Sequence, residues 1–137
     1  MQFEYAIEGG DFTNAGTTSS AIKKILKQLN VSPDIIKRTV VALYEAEVNI
    51  VAHAYRGKIY ANVEEDAIFI RLVDEGPGIP DIDRAMQVGY STASQSVREM
   101  GFGAGMGLPN IKNNTDRLTV TSKVGEGTIV EIFNKLQ

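Results

Sequence analysis

The chain has 137 residues, 43% of them hydrophobic, which suits one compact domain with a buried core and excludes general disorder. With 14 basic and 17 acidic residues the formal charge is −3, and no Lys/Arg block exceeds two in a row, which makes nucleic acid a poor partner. Cysteine is absent, excluding disulfides and thiolate metal sites and suiting the cytoplasm; no apolar run is long enough to span a bilayer, and the N-terminus lacks a signal-peptide pattern.

Met1, Phe3, Tyr5 and Ile7 alternate with Gln2, Glu4 and Ala6, which predicts a strand with one buried face, broken at Gly9-Gly10-Asp11. Ala21, Ile22, Ile25, Leu26 and Leu29 recur at helical spacing, with Lys23, Lys24 and Lys27 on the wet side as a solvated face or a docking patch. Ser32-Pro33-Asp34 combines a capping hydroxyl, Pro in the first turn and an acid at the positive dipole end. The helix it starts carries Ile36, Val40, Leu43 and Ile50 and is expected to run to about Tyr55, with Gly57 as its stop. Ile59, Ala61 and Val63, a Glu64-Glu65-Asp66 turn and the apolar stretch Ala67 to Val73 predict a hairpin. From Asp74 to Gly107 the chain is rich in Gly, Ser and Thr, with one short helical patch near Ile82 to Val88; such a stretch signals a functional lid. A short helix over Leu108 to Asn114, with Pro109 in its first turn, precedes two strands, Arg117 to Lys123 and Thr128 to Phe133. The expected fold is α+β: a two-layer sandwich with a mixed, mostly antiparallel sheet and helices on one face.

Four segments carry candidate chemistry. Glu45 and Asn49, four apart on the long helix, emerge from one face. An Asn amide oxygen is a hard ligand suited to Mg²⁺, which takes few protein ligands alongside waters and phosphate oxygens. A neighbouring carboxylate can hold and deprotonate an attacking hydroxyl or water. Without the other segments this pair reads as a solvated face; Glu47 points elsewhere and is expected at the surface. Asp74 ends an apolar strand before Gly76-Pro77-Gly78. Asp74 can accept a hydrogen bond from an adenine amino group and exclude guanine, and Gly76 and Gly78 would let the base approach the backbone. By itself the segment is an ordinary strand-to-turn exit.

Gly101, Gly103, Gly105 and Gly107 precede a helix, where backbone N–H groups can converge on an anion at the positive end of the helix dipole. No Gly-Lys-Ser/Thr follows and no βαβ unit surrounds them, so this is neither a P-loop nor a dinucleotide fingerprint; taken alone it reads as a flexible surface loop. Ser91, Thr92 and Arg98 share the stretch and can reach phosphates, although Arg98 reads equally well as plainly exposed. Thr128 can join Asp74 on the adenine edge or serve only as a β-former. His53 follows Asn49 by four and is expected to be partly buried without a catalytic role.

As a set, Glu45…Asn49, Asp74-Glu-Gly-Pro-Gly-Ile, Gly103-Ala-Gly-Met-Gly-Leu and Gly127-Thr128 resemble the ordered motifs of the GHKL ATP-binding superfamily, from about Ser32 to the C-terminus. That group includes DNA gyrase B, the MutL repair proteins, histidine-kinase catalytic domains and anti-sigma-factor serine kinases. The resemblance implies the Bergerat fold over residues 1–137, with ATP and Mg²⁺ between the helical layer and a lid at about 89–107. The stretch from Asp74 to Thr92 looks most like the switch-protein serine/threonine kinases of bacterial partner-switching systems, which phosphorylate a small STAS-domain antagonist. Three departures from those kinases stand out: Val48 where Arg is frequent, a longer lid over 91–99, and Asn113-Asn114-Thr115-Asp116 at a helix end.

The resemblance thus implies an ATP- and Mg²⁺-dependent protein serine/threonine kinase. Glu45 would be the base, Asn49 the metal ligand, and Asp74 and Thr128 the adenine readers. Gly76, Gly78, Ser91, Thr92, Gly103, Gly105 and Gly107 would surround the nucleotide. An anti-sigma factor or nucleotide-dependent binding module is one alternative, and a slow ATPase or nucleotide sensor another. The expected partner is a small STAS-like antagonist or a sigma/regulatory factor, with no nucleic acid and no membrane; a homodimer is compatible.

Overall fold

A computed structural model describes residues 1–87 and 107–137. The first strand, β1 (Gln2–Glu8), turns Phe3, Tyr5 and Ile7 to the same side, as its alternation requires. Helix α1 (Thr17–Gln28) buries Ile22 and Leu26 and leaves its three lysines exposed. Helix α2 (Pro33–His53) begins with Pro33 and has Asp34 in its first turn, but Ser32 contributes no side-chain capping bond. It ends at Ala54, and the expected stop, Gly57, lies inside β2 (Arg56–Val63). A Cβ at Gly57 would come within 3.0 Å of Ile50, so this glycine serves the packing of sheet on helix.

Strand β3 (Ala67–Glu75) forms the expected hairpin with β2, pairing Ile59 with Leu72 and Ala61 with Ile70. A one-turn helix, α3 (Ile82–Ala85), is capped by the Asp81 side chain accepting from the Arg84 N–H. Helix α4 (Gly107–Asn113) and strands β4 (Arg117–Lys123) and β5 (Gly127–Lys135) complete the chain.

The five strands lie in the order β1-β2-β3-β5-β4. Every pairing among them is antiparallel, where a mixed sheet was expected. The two long helices α1 and α2 run between β1 and β2 and return the chain against the direction of β1. The α+β sandwich is as expected. Ile59, Ile68, Ile70, Leu72 and Ile132 of the sheet share one buried cluster with Ile22, Leu26, Leu43 and Ile50 of α1 and α2. Burying each of these large side chains contributes about 1.5–3 kcal/mol. Tyr60 and Phe69 sit on the opposite, exposed face of the sheet. Among the described residues no helix is long and apolar enough to cross a membrane.

Two buried polar groups tie the elements together, one across the layers and one within the helical layer. Asn134 of β5 donates to Thr39 Oγ1 and to the Asn114 carbonyl, both at 3.1 Å, and accepts from the Asp116 N–H at 2.7 Å. The unusual 113–116 segment is thereby tied to both helix and sheet. The second is Glu47, expected at the surface but fully buried. Its two oxygens accept from the N–H groups of Gly16, Thr18 and Ser19 and from Ser19 Oγ, at 2.7–3.3 Å. The free N–H groups at the start of a helix need acceptors, and α1 takes them from α2.

Candidate functional site

The placement of β5 beside β3 assembles one side of the site. Val73 pairs with Ile129 in antiparallel register, so Asp74 lies beside Thr128. The Thr128 N–H donates to Asp74 Oδ1 at 3.0 Å. Asp74 is half-buried, and burial pushes its carboxyl above the usual carboxylate range, partly offset by the Thr128 N–H. Thr128 is buried, with its hydroxyl 2.8 Å from Ser122 Oγ, the residue opposite it on β4. Ser122 also accepts from the Ile79 N–H at 2.7 Å and donates to the Gly127 carbonyl at 3.1 Å. One hydroxyl carries one hydrogen, so with the Ser122 proton on Gly127, Thr128 donates to Ser122. Thr128 Oγ1 then faces a ligand as an acceptor, as Asp74 does.

The loop after β3 is stitched to the β4–β5 turn. The Gly125 N–H donates to the Pro77 carbonyl at 2.9 Å and the Gly76 N–H to the Glu126 carbonyl at 3.3 Å. Gly78 has φ +78°, and a Cβ there would stand 2.6 Å from the Lys123 carbonyl oxygen. Gly76 is buried against Ala54, where a Cβ would meet its Cα at 3.0 Å. In the structure these glycines let protein approach protein, which the sequence reading had assigned to approach by a base.

Helix α2 forms the other side. Asn49 and His53, one turn apart, both face the cavity that Asp74 and Thr128 line. Burial lowers the His53 imidazole from its ordinary value, so it is neutral at pH 7. Gly107, the first residue of α4, lies against the Asn49 amide: a Cβ would come 2.9 Å from its Oδ1. Glu45 is half-exposed, and its Oε1 accepts a long bond from Asn110 Nδ2 at 3.4 Å.

One cavity of about 130 Å³ therefore brings together Asn49, Asp74, Gly78, Gly107 and Thr128. Its apolar walls include Ile50, Leu72, Ile79 and Val130. Glu45 lies outside its lining, in a separate groove beside Tyr44. Ser91, Thr92, Gly103, Gly105 and Arg98, with most of the expected lid, fall outside the described residues. Sequence reasoning missed Ser122 and Asn110. Ser122 was accessible through hairpin register, since Lys123 pairs with Gly127 and sets Ser122 opposite Thr128. Asn110 follows Gly107 by one helical turn, but only the approach of α4 to α2 brings it to Glu45.

Known proteins share this fold. The crystal structure of the RsbU and RsbW domains of Rv1364c from Mycobacterium tuberculosis superposes with a TM-score of 0.68 at 14% identity; the match covers 99% of this chain and about a third of that one (32%). The mycobacterial sensor histidine kinase MprB superposes with a TM-score of 0.56, also at 14% identity, over 98% of this chain and 97% of that one. At such identities the likeness is one of fold. In sequence, the chain is 32% identical over 124 residues to an "Anti-sigma F factor" of Caldanaerobacter subterraneus, covering 87% of this chain and 83% of the relative. It is 31% identical over 119 residues to "Serine/threonine-protein kinase RsbT" of Bacillus subtilis, covering 84% of each. Residues 11–133 match the family described as "Histidine kinase-like ATPase domain". By sequence, and with a fold that agrees, the chain belongs to the histidine kinase-like ATPase domain family.

Proposed function

We propose that the protein is an ATP-dependent protein serine/threonine kinase acting on a small regulatory protein. The observation that supports this reading best is the convergence of Asn49, Asp74, Gly107 and Thr128 on one cavity, with Glu45 one helical turn from Asn49. Adenine enters with its amino group toward Asp74 Oδ2 and Thr128 Oγ1, both acceptors. Guanine presents a carbonyl at that position and meets two acceptors with no donor. The phosphates extend toward Asn49 and the start of α4.

Mg²⁺ fits the donor set in a limited way. Among the described residues no three His, Cys, Asp or Glu side chains converge, and the Asn49 amide is one hard oxygen beside the cavity. Mg²⁺ bound chiefly through phosphates and water needs no more from the protein. When bound, it would neutralise charge on the phosphates. Glu45 holds the acceptor hydroxyl and takes its proton, and the Asn110 amide orients Glu45. Phosphoryl transfer asks the protein mainly to position groups and stabilise charge, which this arrangement can do.

A second reading is supported by the name carried by relatives such as that of Caldanaerobacter subterraneus, "Anti-sigma F factor": the nucleotide state would then govern the grip on a partner such as a sigma factor. Co-purification of the protein with its partner, followed by incubation with labelled ATP, tests the first reading. Label on a serine or threonine of the partner supports the kinase. A stable nucleotide-dependent complex without transfer moves the assignment to the second.

A further inference from the structure

Helices α1 and α2 pack against each other, and a groove runs along the solvent side of their contact. Its two halves share Lys23, Val40 and Val41. One half ends at Tyr44 and Glu45, against the Ala15–Gly16 backbone. The other reaches Asn30 and Ser32 and is flanked by Lys27 and Lys37. Lysines thus stand on both walls, valines supply apolar surface between them, and Glu45 is the sole carboxylate among the described lining residues.

This charge runs against that of the whole chain, which has 17 acidic and 14 basic residues. Lys23, Lys27 and Lys37 are exposed, and none belongs to an ion pair among the described residues. Lys23 and Lys27, four apart on α1, repel one another unless an anion lies between them. A groove lined by one sign of charge concentrates ligands of the other.

The groove wall is also rigid. Buried Glu47 clamps the N-terminus of α1 through Gly16, Thr18 and Ser19, and Gly16 is itself part of that wall. A wall fixed in advance lowers the ordering cost of binding.

We propose that this groove receives an acidic polypeptide segment of the protein partner and delivers that segment's serine or threonine hydroxyl to Glu45. The delivery step rests on the reading of Glu45 as the base given above. Lys37 and Glu45 are eight residues apart on α2, about 12 Å along the helix axis. An extended chain covers that distance in about four residues. The partner segment therefore carries a carboxylate about four positions from its acceptor hydroxyl, with an apolar side chain between them for Val40 and Val41.

The test uses two fluorescein-labelled peptides of about a dozen residues, each with one serine. One has Glu at the third and fourth positions from the serine, the other Gln. Anisotropy titrations with Mg²⁺ and a non-hydrolysable ATP analogue compare the native protein with Lys23→Glu/Lys27→Glu/Lys37→Glu. A second variant, with Gln at the same positions, removes charge without reversing it. Melting curves and nucleotide titration check that both variants are folded. The native protein binds the Glu peptide about tenfold more tightly than the Gln peptide, the gap closes in both variants, and it narrows as salt rises. Equal affinity for the two peptides, unchanged affinity in the variants, or no binding of either peptide overturns the proposal, even if labelled phosphate reaches some other protein. Preferred binding of an oligonucleotide or of phosphatidylserine vesicles overturns it as well. Lysine-dependent binding of the Glu peptide with no label on its serine, when labelled ATP then replaces the analogue, keeps the acidic-segment groove and overturns the delivery of that serine to Glu45 instead.

Discussion

The Thr128 N–H and the Asp74 carboxylate, 54 residues apart in sequence, meet at 3.0 Å. This bond occupies Oδ1, supports the charge of a half-buried carboxylate, and leaves Oδ2 for the cavity. Both residues owe their positions to β5 inserting between β3 and β4.

Asp74→Asn separates binding from stability. An amide oxygen still accepts from Thr128, but the charged acceptor is lost and an NH₂ faces the adenine amino group. ATP affinity falls at least about tenfold by calorimetry. Stability moves the other way. The folded-state pKa of Asp74 is raised, so its contribution to stability is complete at pH below the unfolded-state value and is lost as pH rises through the folded-state value. At pH 7 the native protein carries the cost of a partly buried charge and the variant does not. The variant melts at or above the native temperature at pH 7, and the difference fades as the pH is lowered. A variant that melts well below the native protein at pH 7 contradicts this account of Asp74.

Gly78→Ala and Gly107→Ala have opposite signatures. At Gly78 the backbone is left-handed and the new methyl meets a fixed carbonyl, so the loss is about 2 kcal/mol and the melting temperature drops by roughly 5–10 °C. At Gly107 the methyl meets the end of the Asn49 side chain, which swings aside. Stability changes by less than about 1 kcal/mol, while Mg·ATP affinity falls several-fold because Asn49 has moved. Melting curves and nucleotide titrations on both variants distinguish the two.

Glu47 is a structural carboxylate. Glu47→Ala strands buried N–H groups at the start of α1 and costs about 3 kcal/mol or more. Glu47→Gln sets an NH₂ against backbone donors and costs about 1–3 kcal/mol. Urea denaturation measures both; losses within about 0.5 kcal/mol would mean that the clamp contributes little to the fold.

Glu45 and Asn49 share a helix face but act at different stages. A base works in the reacting complex, whereas a metal ligand works already in the bound state. Glu45→Ala leaves Mg·ATP binding nearly intact and removes most phosphotransfer, by about a hundredfold or more. Asn49→Ala weakens Mg²⁺-dependent binding and transfer together. Nucleotide titration with single-turnover transfer resolves the pair, and unimpaired transfer by Glu45→Ala would refute the base assignment.

Periodicity, apolar runs and turn and capping residues located the strands, the two long helices and both hairpins, because all of these are local properties of the chain. The face shared by Glu45 and Asn49 followed from the helix repeat, and the position of Asp74 from the end of an apolar run. Tertiary structure decided what covers each face. Glu47 is polar and two residues from Glu45, so local pattern placed it in solvent; only the arrival of α1 with unpaired N–H groups makes burial the stable outcome. Gly57 looked like a helix stop because glycine commonly is one, yet its contact with Ile50 exists only once sheet packs on helix. The meeting of Asp74 and Thr128 required the strand order, which no local period encodes, because any hairpin can dock on either edge of its neighbour until long-range burial selects one.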